Sequence, residues 1–141
     1  MDHIYSLFSS LYGDELHDFL IGVNGMNDTN LFNVMFVVLL IISAGIIPAF
    51  YYKLWDRATW ATMGKWLLML AVNDVIIFFV NVIWVYKLGD MMVDEDGLSL
   101  TIGLTNIIGF GFASAILSSF VFFLASLGWK TQSINCPSTP F

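Results

Sequence analysis

The chain has 141 residues, 58% of them hydrophobic, 16% aromatic and 11% charged, with a net charge of −6 and a mean hydropathy of +0.81. A soluble domain carries about 25% charged residues, so this composition excludes an ordinary water-soluble fold and places most of the chain in lipid. The acid excess excludes a nucleic-acid binder, which needs clustered Lys and Arg, and Cys136, the only cysteine, excludes an intrachain disulfide or a cysteine-based metal cage.

Residues 2–20 have helical periodicity. On a 100° wheel Ile4, Phe8, Leu11, Tyr12, Leu16 and Phe19 share one side, and Ser6, Ser10, Asp14, His17 and Asp18 share the other. The segment is too polar to span and reads as an amphipathic interfacial helix with Gly13 as its weak point. Its polar face is acidic, so it gains nothing from anionic lipid and suits a protein partner better. The early acids Asp2, Asp14, Glu15 and Asp18 are the reverse of a secretory n-region. Residues 22–30 are a loop by composition, and Asn27-Asp28-Thr29 is a formal glycosylation acceptor that lies close to the membrane.

The first span runs over 31–52 and is uncharged. Pro48 removes the hydrogen bond that an α-helix would make to the carbonyl of Ala44, so a bend is expected, with neighbouring helices re-satisfying the backbone. Gly45 offers a surface for close helix approach. Lys53, Arg57 and Lys65 then face a single Asp56 in a short loop marked by Trp55 and Trp60.

The second span, 66–86, is 21 residues long. At about 1.5 Å per residue it crosses a hydrocarbon core of about 30 Å. Trp66, Trp84 and Tyr86 stand at its ends, where amphipathic rings prefer the headgroup level. The acidic loop 87–97 follows, with Asp90, Asp94, Glu95 and Asp96. Four of the five basic residues, Lys53, Arg57, Lys65 and Lys130, then fall on one side, which the positive-inside rule makes cytoplasmic. The N-terminus is outside and the C-terminus inside.

The third apolar run, 98–127, is longer than a span needs, so the helix proper is placed at 103–127, with 98 as the earliest start and Gly109-Phe110-Gly111 as a potential break. Gly111, Ser114, Ser118 and Ala125 form a stripe that Ala115 adjoins, and small residues at such spacing let two helices approach closely. A polar tail, 131–141, ends the chain. The fold class is all-α integral membrane: one membrane domain of three transmembrane helices behind an amphipathic helix.

Asp74 is the only charged residue inside a span. A carboxylate at mid-membrane costs roughly 2.5–3.5 kcal/mol on insertion scales, so it must face protein or water. Asn81 lies about 20° from it on the wheel and Asn73 about 100° away. Asp74, Asn73 and Asn81 are therefore the candidate intramembrane polar site, either helix–helix glue or a proton or cation site. His3, Asp14 and His17 are no metal site, since 14 positions of straight helix separate the imidazoles by about 21 Å. Asp94-Glu95-Asp96-Gly97 lacks the alternating ligands of a calcium loop. No nucleophile elbow, phosphate loop or paired Cys motif occurs, so no catalytic residue, cofactor or metal is implied.

Two functions follow as expectations. The first is a non-catalytic accessory subunit of a multi-subunit complex, with energy-transducing and redox assemblies as the candidates, in a cytoplasmic or equivalent energy-transducing membrane, with other membrane subunits and the bilayer as its surroundings. The alternative is a homo-oligomeric proton or cation channel that uses Asp74.

Overall fold

A computed structural model describes residues 4–5, 7–21, 31–54, 62–91 and 103–130. The regular structure among them is helical. Two short helices, α1 (Ser9–Tyr12) and α2 (Asp14–Ile21), precede three long ones. These are α3 (31–54), α4 (Met63–Met91) and α5 (Leu104–Lys130). Each contains a stretch long and apolar enough to cross a membrane: Leu31–Tyr52, Met63–Leu88 and Leu104–Trp129. The chain is therefore an all-α, multi-pass membrane protein. The sequon at Asn27, the loop residues Trp55, Asp56, Arg57 and Trp60, the acids Asp94, Glu95 and Asp96, the stretch 98–102, His3 and the tail 131–141 with Cys136 lie outside the described residues.

The apolar stretch Leu31–Tyr52 lies within a helix that continues to Leu54. The other two helices run a few residues past theirs, because the helical backbone continues where the apolar run gives way to interfacial residues. Gly109-Phe110-Gly111 does not break α5, which passes through it as α-helix.

The N-terminal segment differs from the single helix the periodicity predicts. Gly13 adopts φ 79° and ψ 156°, a conformation closed to most side chains, and it separates α1 from α2. The interruption shifts the phase of the wheel. Tyr5, Tyr12, Leu16, Phe19 and Leu20 are buried, whereas Leu11 is 48% exposed despite its place on the expected apolar stripe.

Pro48 leaves a different mark on α3 than a break. The helix is wound as wide π turns over Ile41–Ile46 and again over Phe50–Leu54, with a short α segment, Ile47–Ala49, between them. The dihedrals stay right-handed helical at Leu40, Ile46, Ile47 and Phe50. Proline cannot donate to the i−4 carbonyl, and widening the turn redistributes the bonds without unwinding the helix.

The contacts divide the chain into two compact units. One combines Met1–Val37 with Phe78–Ser114, and the other Val38–Ile77 with Ala115–Phe141. The first is built on aromatic rings: Tyr5 stacks on Phe32 at 4.9 Å and lies 5.4 Å from Phe110, while Tyr12 meets Phe110 edge-on at 5.4 Å. Gly109 admits the N-terminal segment here, because a Cβ built on it would overlap the carbonyl oxygen of Leu11. The second unit has a core of Ile47, Tyr51, Tyr52, Trp66, Met69 and Phe122, flanked by Leu70, Phe123 and Trp129.

Candidate functional site

The polar chemistry of the second unit centres on Asp74, near the midpoint of the α4 span. Its carboxylate is turned to α5. Ser118 Oγ donates to Oδ1 and Ser119 Oγ to Oδ2, each at 2.7 Å, and Asn73 Nδ2 adds a longer bond to Oδ1 at 3.3 Å. Consecutive serines do this because they stand about 100° apart on the helix, so one reaches each oxygen of a carboxylate set between them. Both hydroxyls also lie within reach of the Ala115 carbonyl, Ser118 at 2.8 Å and Ser119 at 3.2 Å. A hydroxyl carries one hydrogen, so each serine has two alternative acceptors. Asn73 is fully buried, and its Oδ1 has no partner.

Two further bonds tie α5 to its neighbours in this unit. Trp66 Nε1 donates to Ser126 Oγ at 3.2 Å, and Trp129 Nε1 donates to the Ala44 carbonyl at 2.8 Å. The second is the carbonyl that residue 48 would bond in a regular α-helix. Since residue 48 is proline, the indole supplies the hydrogen that the backbone cannot.

Two depressions open on the surface of this unit. Trp66, Leu70, Ser119, Phe120 and Phe123 line an apolar groove of about 310 Å³, so Ser119 stands between the groove and the Asp74 carboxylate. Ala44, Ala125, Gly128 and Trp129 line a second of similar size. A Cβ added at Gly128, or at Gly45 next to Ala44, would meet nothing within 4 Å.

The sequence-derived residues divide accordingly. Asp74, Asn73, Ala115, Ser118, Ala125 and Gly45 fall in the second unit; Asn81, Gly111 and Ser114 fall in the first. Asn81 is 2% exposed. Gly111 is a close-packing position, since a Cβ there would stand 2.6 Å from Val82 Cγ2 and 2.9 Å from the Phe78 ring. Ser118 serves Asp74 as well as packing. Gly45 makes no close approach among the described residues; Gly109, outside the expected stripe, makes the closest. Ser119 also lies off that stripe, and only its adjacency to Ser118 hinted that it could reach a carboxylate.

The first unit holds polar groups of another kind. Tyr12 Oη donates to the Tyr5 carbonyl at 2.8 Å and lies 3.0 Å from His17 Nδ1. Burial pushes the Tyr5 phenol up to about 12, with the Ser114 hydroxyl offsetting part of the rise. The two hydroxyls nevertheless do not meet in hydrogen-bonding geometry, and Tyr5 Oη and Ser114 Oγ are both buried without a partner. Burial, with Tyr5 and Asp14 adding to it, also raises the Tyr12 phenol. Among the described residues no three His, Cys, Asp or Glu side chains gather as a metal site would require.

Neither a protein-family model, nor a curated protein, nor a solved structure matches the chain.

Proposed function

We propose that this protein is a non-catalytic structural subunit of a larger membrane complex, with other membrane subunits as its partners. The observation that carries this reading is the open depression lined by Ala44, Ala125, Gly128 and Trp129, with Gly45 next to Ala44. In a bilayer there is little hydrophobic drive between helices, so association depends on close packing, and small residues supply it. The chain's own helices leave the Cβ positions of Gly45 and Gly128 open, which is room for a helix of another subunit.

The polar groups support the same reading over a homo-oligomeric channel. A pore lined by Asp74, Asn73 and Asn81 would need their polar atoms turned to water. Asp74 is bonded to Ser118 and Ser119 of its own chain, and Asn73 and Asn81 are buried within it. In this proposal the N-terminal segment lies at the outer interface of a cytoplasmic or equivalent energy-transducing membrane. Lys53, Arg57, Lys65 and Lys130 face the cytoplasmic side.

Native mass spectrometry of protein extracted gently from its own membrane tests the proposal. Co-purification with larger, different subunits is expected, weakened by Gly45→Leu and Ala125→Leu. A single species at a small integer multiple of 15.8 kDa would overturn it in favour of the channel.

A further inference from the structure

Asp74 brings a charge into the membrane that this chain does not balance. We propose that the groove beside it, lined by Trp66, Leu70, Ser119, Phe120 and Phe123, receives a transmembrane helix of another subunit whose Lys or Arg pairs with the Asp74 carboxylate. This pairing presupposes that the chain is a subunit, as proposed above, and adds what one neighbour must carry.

Among the described residues three groups reach the carboxylate: Ser118 and Ser119 at 2.7 Å and Asn73 at 3.3 Å. All are neutral, so they supply dipoles and no opposite charge. Apart from Asp74, α4 carries no charged residue between Lys65 and Lys87, and the stretches Leu31–Tyr52 and Leu104–Trp129 carry none. Lys65 stands nine positions from Asp74, about 13 Å along the helix, which is farther than its side chain reaches. Ionisable side chains at membrane depth are paired, so the missing charge has to come from outside the chain. The spans of a second copy cannot supply it, because they are equally without basic residues. A phospholipid cannot supply it either, because its charged groups stay at the headgroup level and Asp74 lies near the midpoint of its span.

The geometry leaves a place for the partner's charge. Oδ1 accepts from both Ser118 and Asn73, whereas Oδ2 accepts from Ser119 alone among the described residues. A carboxylate oxygen has two lone pairs, so Oδ2 has one to spare. Ser119, the donor to Oδ2, also lines the groove, so the less engaged oxygen is the one on the groove side. Asp74 is half-buried where Asn73 is fully covered, and Phe120 on the groove wall is 65% exposed. A volume of about 310 Å³ has room for a long side chain. Its alkyl stem would lie on Trp66, Leu70 and Phe123 while its cation reaches Oδ2, and the aromatic faces attract the same charge. The apolar lining keeps water away, which strengthens the attraction between the two charges.

Photocrosslinking of the full-length chain in its native membrane provides the test. Phe120→p-benzoylphenylalanine puts a photoreactive ketone on the groove wall with Asp74 intact. The excited ketone takes a hydrogen from a neighbouring C–H and the two carbons then join, so nothing leaves and the adduct has the summed mass. The expected adduct is with a different polypeptide, in an apolar segment that contains Lys or Arg. Asp74→Asn, at retained helical content, should lower co-purification of that polypeptide several-fold, and Ser114→Ala should not. Neutralising the captured Lys or Arg together with Asp74→Asn should restore part of the loss, which a role in packing alone would not do. An adduct with lipid only, with a second copy of the chain, or with a span that lacks a basic residue would overturn the proposal. Unchanged co-purification in Asp74→Asn would overturn it too, and would leave standing the complex that Gly45→Leu weakens. A species made only of copies of the 15.8 kDa chain would remove both the complex and the pairing.

Discussion

Ser114 and Ser118 are four positions apart, both fully buried, and in opposite circumstances. Ser118 gives its hydrogen to a carboxylate, whereas Ser114 Oγ and Tyr5 Oη have no hydrogen-bond partner among the described residues. The unit that holds Asp74 joins helices through polar pairs, although Ser43 Oγ and Asn73 Oδ1 within it are buried without a partner. The unit that holds Tyr5 packs rings around the bonded hydroxyl of Tyr12 and the unbonded ones of Tyr5 and Ser114. Burial alone therefore does not say what a polar side chain does inside a membrane protein; its partners decide.

The largest way to break the contrast lies in the ring-packed unit. Gly109→Val forces a side chain into the Leu11 carbonyl, and backbone cannot yield as a flexible side chain would. A loss of about 3 kcal/mol is expected, at the upper end for overpacking. Limited proteolysis within residues 7–21 should show it first. Alkaline pH should loosen the same region. The Tyr5 phenol is raised from 10.0 to about 12, so between those values the unfolded chain has lost a proton that the folded one keeps. Stability is then fully present below about pH 10 and falls through about pH 12, by roughly 2–3 kcal/mol. A pH series of thermal melts of the wild type and Tyr5→Phe measures it, the variant losing the Tyr5 share of the slope while the raised Tyr12 phenol keeps its own.

Smaller substitutions sharpen the contrast. Ser118→Ala with Ser119→Ala should cost about 2 kcal/mol, because it leaves a carboxylate without its donors. At neutral pH, Ser114→Ala and Tyr5→Phe should have the opposite sign, each stabilising by about 0.5–1 kcal/mol through removal of a buried hydroxyl that bonds to nothing. Urea or thermal unfolding in detergent reads both. Smallest is Trp129→Phe, which loses the bond to the Ala44 carbonyl at about 0.6 kcal/mol, the average for such bonds in membranes. In a Pro48→Ala background the restored N–H can take that carbonyl, and the loss should shrink.

Much of this architecture can be read from the chain without a structure. Three apolar runs of spanning length have one physical solution in lipid, in which each backbone group is bonded within its own helix. That is why three helices of spanning length could be read directly. The freed carbonyl at Ala44 was also legible, because proline's missing hydrogen is a local fact. Its donor was not, since Trp129 stands 85 residues away and reads as an interface marker. Asp74 was legible as a site because its charge is anomalous in lipid. Its partners were only half so: Ser118 belonged to a packing stripe, and Ser119 had no pattern of its own. In the N-terminal segment Tyr12, Leu16 and Phe19 are buried where the wheel placed them, and Tyr5 and Leu11 depart from it. Gly13 signals a weak point but not its dihedrals, so the wheel could not show that Tyr5 turns inward and Leu11 outward.

The berth at Gly109 also orders events during synthesis. Leu11 and Tyr12 are made early, and the glycine that admits them follows roughly a hundred residues later. At typical ribosomal speeds of about 5–20 residues per second, the N-terminal segment waits roughly 5–20 s for its seat. During that interval Tyr5, Tyr12, Leu16 and Leu20, all buried in the finished protein, have only lipid, chaperones or translocon to cover them. The helix that carries Gly109 ends the wait of the segment that carries Leu11.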